Sequence, residues 1–128
     1  MLQRRHMLAA TLFIGYVAFA ADTPLIDQAA LLKRIETKDA TLIVLDVRTP
    51  EEYAAGHVPG AINITYTELP ARISELPGVA DKDVVVYCQS GMRAERAAAS
   101  FKESGFTRLL HLEGDMKAWI AKERPLEK

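Results

Sequence analysis

The feature that most constrains how this chain can fold is a set of short apolar runs, each set off by turn or helix-start residues. Leu42-Ile43-Val44-Leu45 contains no polar residue, and Val84-Val85-Val86-Tyr87 is apolar and rich in β-branching. A strand with one wet face alternates apolar and polar side chains, whereas an unbroken run suits a strand covered on both faces. Leu109-Leu110-His111-Leu112 is expected to be a further strand, and Ala61-Ile62-Asn63-Ile64 another.

Helix signals fall between these runs. Asp27 is placed to cap a helix reaching about Glu36, with Leu31, Leu32 and Ile35 on one face. Thr49-Pro50-Glu51-Glu52 combines a capping threonine, a proline at the first helical position and a glutamate three residues after the cap, and Gly56 ends that short helix. Helices are also expected over Leu69 to Leu76, before Pro77-Gly78, and over Met92 to Ser104, before Gly105. Asp115 is expected to cap a last helix carrying Trp119 and Ile120. Strands that alternate with helices predict an α/β fold, with a mainly parallel central sheet and helices on both faces. The chain is 128 residues long, which is the size of one such domain.

The N-terminus reads differently. Arg4, Arg5 and His6 precede an apolar run from Met7 to Phe19, and Ala18-Phe19-Ala20 then meets the polar Ala21-Asp22-Thr23-Pro24. This is the composition of a secretory leader, residues 1–20, cleaved after Ala20. The rival reading is an uncleaved anchor, but the run is shorter than the roughly 20 apolar residues that span a bilayer. The expected location is therefore outside the cytoplasm, most simply the periplasm, with no stable membrane insertion after cleavage. Cleavage removes two of the 16 basic side chains and none of the 17 acidic ones, leaving a charge of -3. With no basic stripe interleaved with aromatics, nucleic acid is not an expected partner.

The chain has one cysteine, Cys88, which cannot form a disulfide within its own chain. Cys88 closes the Val84 to Tyr87 strand and opens the loop Gln89-Ser90-Gly91-Met92-Arg93, which leads into a helix. In open α/β sheets ligands bind at this carboxyl edge. Taken alone, such a cysteine is equally a small buried residue at the end of a core strand. The loop favours chemistry. Gly91 permits backbone geometry in which successive amides converge, and the helix start adds partial positive charge, so an anion is stabilised there. A thiolate is the form of sulfur that attacks. Arg93, a cation at a helix start, is read either as a partner for a bound anion or as half of a surface pair with Glu95 or Glu52.

Cys88-Gln89-Ser90-Gly91-Met92-Arg93 occurs with Asp46-Val47-Arg48, Glu51-Glu52-Tyr53, Gly56-His57-Val58-Pro59-Gly60-Ala61 and Glu113-Gly114-Asp115-Met116-Lys117-Ala118-Trp119. In that order these segments resemble the single-domain rhodaneses, the thiosulfate sulfurtransferase family. The resemblance covers nearly all of residues 21–128. It implies a rhodanese-like fold and a catalytic cysteine, matched by Cys88, that forms a persulfide cradled by the amides of the loop. Gln89, Ser90, Gly91, Met92 and Arg93 are then the substrate-binding residues. The implied partners are a small-molecule donor such as thiosulfate and a cyanide or thiol acceptor, with no metal and no organic cofactor.

The remaining matched residues have plainer expected roles: Asp46 in a local ion pair or loop hydrogen bond with Arg48, His57 fixing its turn, and His111 packing within its strand. Many members of the family carry glycine where this chain has Asp115, and a carboxylate near the pocket is expected to disfavour anionic donors. Two other functions share these residues. A sulfur carrier or binding module would use the same cradle without turning over free donor. Cysteine-dependent phosphatases and arsenate reductases also pair cysteine and arginine around an anion loop, but with five intervening residues where this chain has four.

Overall fold

The computed structural model describes residues 23–128. The expected leader and its cleavage site lie outside them. The described elements run β1 (Leu25–Ile26), α1 (Gln28–Glu36), β2 (Leu42–Asp46), α2 (Pro50–Ala55), β3 (Ile62–Asn63), α3 (Leu69–Arg72), β4 (Asp83–Tyr87), α4 (Met92–Glu103), β5 (Leu109–Leu112) and α5 (Asp115–Ala121). The five strands form one parallel sheet in the order β1-β5-β4-β2-β3. The two apolar runs lie at its centre, with Leu42 to Asp46 in register with Asp83 to Tyr87.

Side chains alternate across a strand, so each central run feeds two cores. Val84, Val86 and Cys88 point with Ile43, Leu45 and Val47 towards Leu69 of α3 and Ala94, Ala97 and Phe101 of α4. Val85, Tyr87 and Val44 point the other way, towards Leu31 of α1 and Met116 and Trp119 of α5. Helices therefore cover both faces. The chain leaves β2 for β3 on one side and β4 for β5 on the other. The strand order thus reverses between β2 and β4, which opens a crevice at their carboxyl ends.

The local signals are met where short-range chemistry decides. Asp27 caps α1 by accepting from the Ala30 amide, and Thr49 with Glu52 forms a reciprocal capping box on α2. Three expectations need correction. The strand expected over Ala61 to Ile64 pairs only through Ile62 and Asn63. The helix expected to reach Leu76 ends at Arg72 in a tighter turn over Ile73–Glu75, because Leu76 precedes Pro77 and takes extended geometry. Asp115 is not a helix cap: Gly114 holds that position, and Asp115 is the first helical residue, with φ +53°. A strand not foreseen, β1, pairs with β5 through only two residues.

Candidate active site

Cys88 follows β4 at the centre of the carboxyl edge and is 1% exposed. The chain turns back on it through Gly91, whose φ of +115° favours glycine and whose N–H donates to Cys88 Sγ at 3.0 Å. α4 begins at Met92, directing the positive end of its dipole at the same loop. Gln89 is half-buried, Ser90 and Met92 are exposed, and Gly91 is buried. The loop therefore presents an exposed rim over a deep-set sulfur.

α5 holds this loop from behind. The Met116 amide donates to the Cys88 carbonyl at 3.0 Å and the Lys117 amide to the Gln89 carbonyl at 3.1 Å. Asp115 supplies a third tether, its Oδ1 accepting from the Cys88 amide at 3.0 Å. A side chain at Gly91 would be strained by the φ of +115° and would crowd Asp115 Oδ2, 3.2 Å from its Cβ.

His111 does more than pack. Its Nε2 lies 2.8 Å from Asp115 Oδ1. Because that oxygen also accepts from an amide, the arrangement is that of a carboxylate receiving two donors, with the imidazole proton on Nε2. His111 lies in β5 and Asp115 begins the next helix, four residues on, and the left-handed Gly114 between them turns one towards the other.

Arg93, in the first turn of α4, is paired with a carboxylate. Its guanidinium grips Glu52 through two bonds, Nη1 to Oε1 at 2.6 Å and Nη2 to Oε2 at 3.0 Å. This is one of the two pairings considered for it. The Arg93 hydrogen bonds pull the Glu52 carboxyl down to about 2, and Glu52 in turn raises the arginine above its ordinary value. The pair ties the start of α4 to the start of α2.

The β2 end of the crevice is a buried polar network. Asp46 is fully buried and Arg48 is 4% exposed. Arg48 Nη2 and Nε donate to the Asp46 carboxylate at 2.7 to 3.1 Å, and Nη2 also donates to the Gly56 carbonyl at 2.8 Å. The Tyr87 hydroxyl donates to Asp46 Oδ2 at 2.9 Å and accepts from the Val58 amide at 3.1 Å. Burial, followed by the Asp46 charge, pushes the Tyr87 phenol well above its ordinary value. Asp46 and Arg48 thus have the structural role expected of them, and Tyr87 is a member that the strand pattern hid. His57 also fixes its turn. Its ring stacks on Tyr53 at 3.7 Å, Nδ1 lies 2.8 Å from the Tyr53 carbonyl, and its backbone exchanges two bonds with Glu127.

The fold is thus a parallel α/β sheet with one thiol among the described residues, wrapped by a strand-to-helix loop at its switch point. The model of the rhodanese-like domain matches residues 27–122, and the chain belongs to that family. Among its relatives is a protein named sulfurtransferase from Allochromatium vinosum, 39% identical over 101 residues, which are 79% of this chain and 92% of that one. Another, from Bacillus subtilis, is named provisionally as the sulfur carrier protein YrkF. It is 33% identical over 103 residues, 80% of this chain and 54% of that one. Of solved structures, a rhodanese-related protein from Thermoplasma volcanium superposes with a TM-score of 0.70 at 30% identity, covering 81% of this chain and 97% of that one.

Proposed function

We propose that this protein is a sulfurtransferase in which Cys88 carries the sulfur. The observation that supports this best is the Gly91 N–H held 3.0 Å from Sγ in a loop that opens a helix, at the one thiol of the chain. Membership of the rhodanese-like family and the sulfurtransferase from Allochromatium vinosum among its relatives support the same reading.

The Cys88 thiolate attacks the outer sulfur of thiosulfate. A new sulfur–sulfur bond forms, the bond to the sulfonate sulfur breaks, and sulfite leaves with that electron pair. Charge is conserved, because the thiolate and the dianion become an ionised persulfide and sulfite. Cyanide then attacks the outer sulfur, and thiocyanate leaves as Cys88 returns to thiolate; a thiol acceptor takes the sulfur in the same way. The persulfide places its outer sulfur about 2 Å beyond Sγ, towards the rim of the loop. The Gly91 amide and the start of α4 stabilise negative charge at the thiolate and at the persulfide, so one set of donors serves both halves of the cycle. The tethers from α5 fix the loop before substrate arrives, sparing the reaction that reorganisation.

The carrier reading uses the same first step, and the YrkF name supports it. Turnover separates the two. With excess thiosulfate and cyanide, a sulfurtransferase forms many equivalents of thiocyanate, whereas a carrier limited to protein donors forms none from thiosulfate. Thiocyanate formation that persists in Cys88→Ser would overturn the assignment of the carrier atom. Hydrolysis of an aryl phosphate through Cys88 without any sulfur transfer would replace the reading with phosphatase chemistry. The N-terminal composition supports export, with the working protein beginning at Ala21.

A further inference from the structure

Asp115 combines three features rarely found together. It is a non-glycine residue in left-handed backbone geometry, at φ +53°. It is 4% exposed although it carries a carboxyl group. It also hydrogen-bonds the backbone of the candidate nucleophile, Cys88 N to Oδ1, at 3.0 Å. Left-handed geometry at a side-chain-bearing residue and a buried charge are both unfavourable, and they persist together only where the surroundings hold them in place. Here His111 supplies the second donor to Oδ1, and the neighbouring amides of Met116 and Lys117 are spent on the loop carbonyls of Cys88 and Gln89.

The position of this carboxylate matters to any anion entering the loop. Oδ1 takes the Cys88 amide, at the backbone of the candidate nucleophile itself. Oδ2 lies against Gly91, the residue whose N–H touches the sulfur. Of the arginines around the loop, Arg93 is paired with Glu52 and Arg48 with Asp46. One loop thus offers an amide and a helix start in front and a buried carboxylate behind. That arrangement accepts one negative charge on a donor more readily than two.

We propose that Asp115, held by His111, is a positioning and specificity-determining residue that makes the site prefer singly charged sulfane donors, such as thiosulfonates, over the thiosulfate dianion. This rests on the sulfurtransferase reading and adds the donor class to it. The step balances for the preferred class: the Cys88 thiolate and R–SO2–S⁻ form the ionised persulfide and the sulfinate R–SO2⁻. The sulfur–sulfur bond of the donor breaks as the new one forms, and the sulfinate keeps its electron pair.

The test compares kcat/KM for thiosulfate and for methanethiosulfonate, with cyanide as acceptor, in the wild-type protein and two variants. Asp115→Asn keeps an oxygen acceptor for the Cys88 amide, tolerates the left-handed backbone and removes only the charge. Asp115→Gly relieves the backbone as well and frees that amide. Removing one unit charge from behind the loop weakens its repulsion of the donor's extra negative charge by an amount on the order of tenfold in rate. The ratio of thiosulfate to thiosulfonate efficiency should therefore rise about tenfold in Asp115→Asn and at least as much in Asp115→Gly. A merely structural role would lower both efficiencies together and leave the ratio fixed. An unchanged ratio in both variants, with sulfur transfer intact, would overturn this proposal alone. A wild-type protein that takes sulfur from neither donor would overturn the sulfurtransferase reading and this one with it.

Discussion

Replacing Arg48 by methionine keeps an unbranched apolar stem and removes the guanidinium. Asp46, fully buried, then loses the three contacts at 2.7 to 3.1 Å from Arg48, and the Gly56 carbonyl loses its donor at 2.8 Å. The carboxylate keeps two donors, the Arg48 amide at 2.9 Å and the Tyr87 hydroxyl at 2.9 Å. Removing one partner of a buried ion pair costs about 3–5 kcal/mol, and the surviving donors place this case near the lower end, about 3 kcal/mol. For a domain of this size that lowers Tm by about 12 °C or more. Asp46→Asn in the same chain removes the stranded charge, so the double variant should be more stable than Arg48→Met alone. Urea unfolding of the wild type, both single variants and the double variant measures this, and the coupling energy should exceed about 1.5 kcal/mol. A loss below about 1 kcal/mol for Arg48→Met, or costs that simply add, would refute the reasoning.

Two further outcomes follow from the same geometry and from the N-terminus. Glu52 is held down to about 2 by Arg93, so its stabilisation is complete above its unfolded value near 4.5 and is lost as pH falls from there towards 2. Glu52→Gln should cost about 1 kcal/mol at pH 7, allowing for partial exposure of the pair, and the deficit should shrink as thermal melts are taken down to pH 3; a deficit independent of pH would contradict it. Protein recovered from its native compartment should begin at Ala21, and an intact Met1 end in a membrane fraction would replace export by anchoring.

The parts of the fold legible in the sequence are those decided within a few residues. Val84 to Tyr87 could only be a strand buried on both faces, and Thr49-Pro50-Glu51-Glu52 could only start a helix. What the sequence hid depends on contacts between distant segments. β1 exists because Leu25 and Ile26 find an edge on β5, and no pattern two residues long announces that. Asp115 looks like a helix cap because aspartate caps well, yet the loop after β4 offers its carboxylate a buried amide, and that long-range bond prevails. Which of its two candidate carboxylates Arg93 meets was also hidden, because Glu52 comes against it only when α2 packs beside α4. The place of Cys88 was legible, because the apolar run before it and Gly91 after it mark the end of a strand and the start of a helix. His111 was not, since a histidine within a strand declares no partner until the next helix folds back.

The most direct test of the central claim is the intact mass of the folded protein before and after exposure to a sulfane donor. Thiosulfate or methanethiosulfonate should add the mass of one sulfur atom, cyanide should remove it as thiocyanate, and Cys88→Ser should show neither change. A serine hydroxyl is not appreciably ionised at neutral pH and cannot replace the thiolate. Correctly folded wild-type protein that gains no sulfur from any donor, or a Cys88→Ser variant that gains it as the wild type does, would contradict the account.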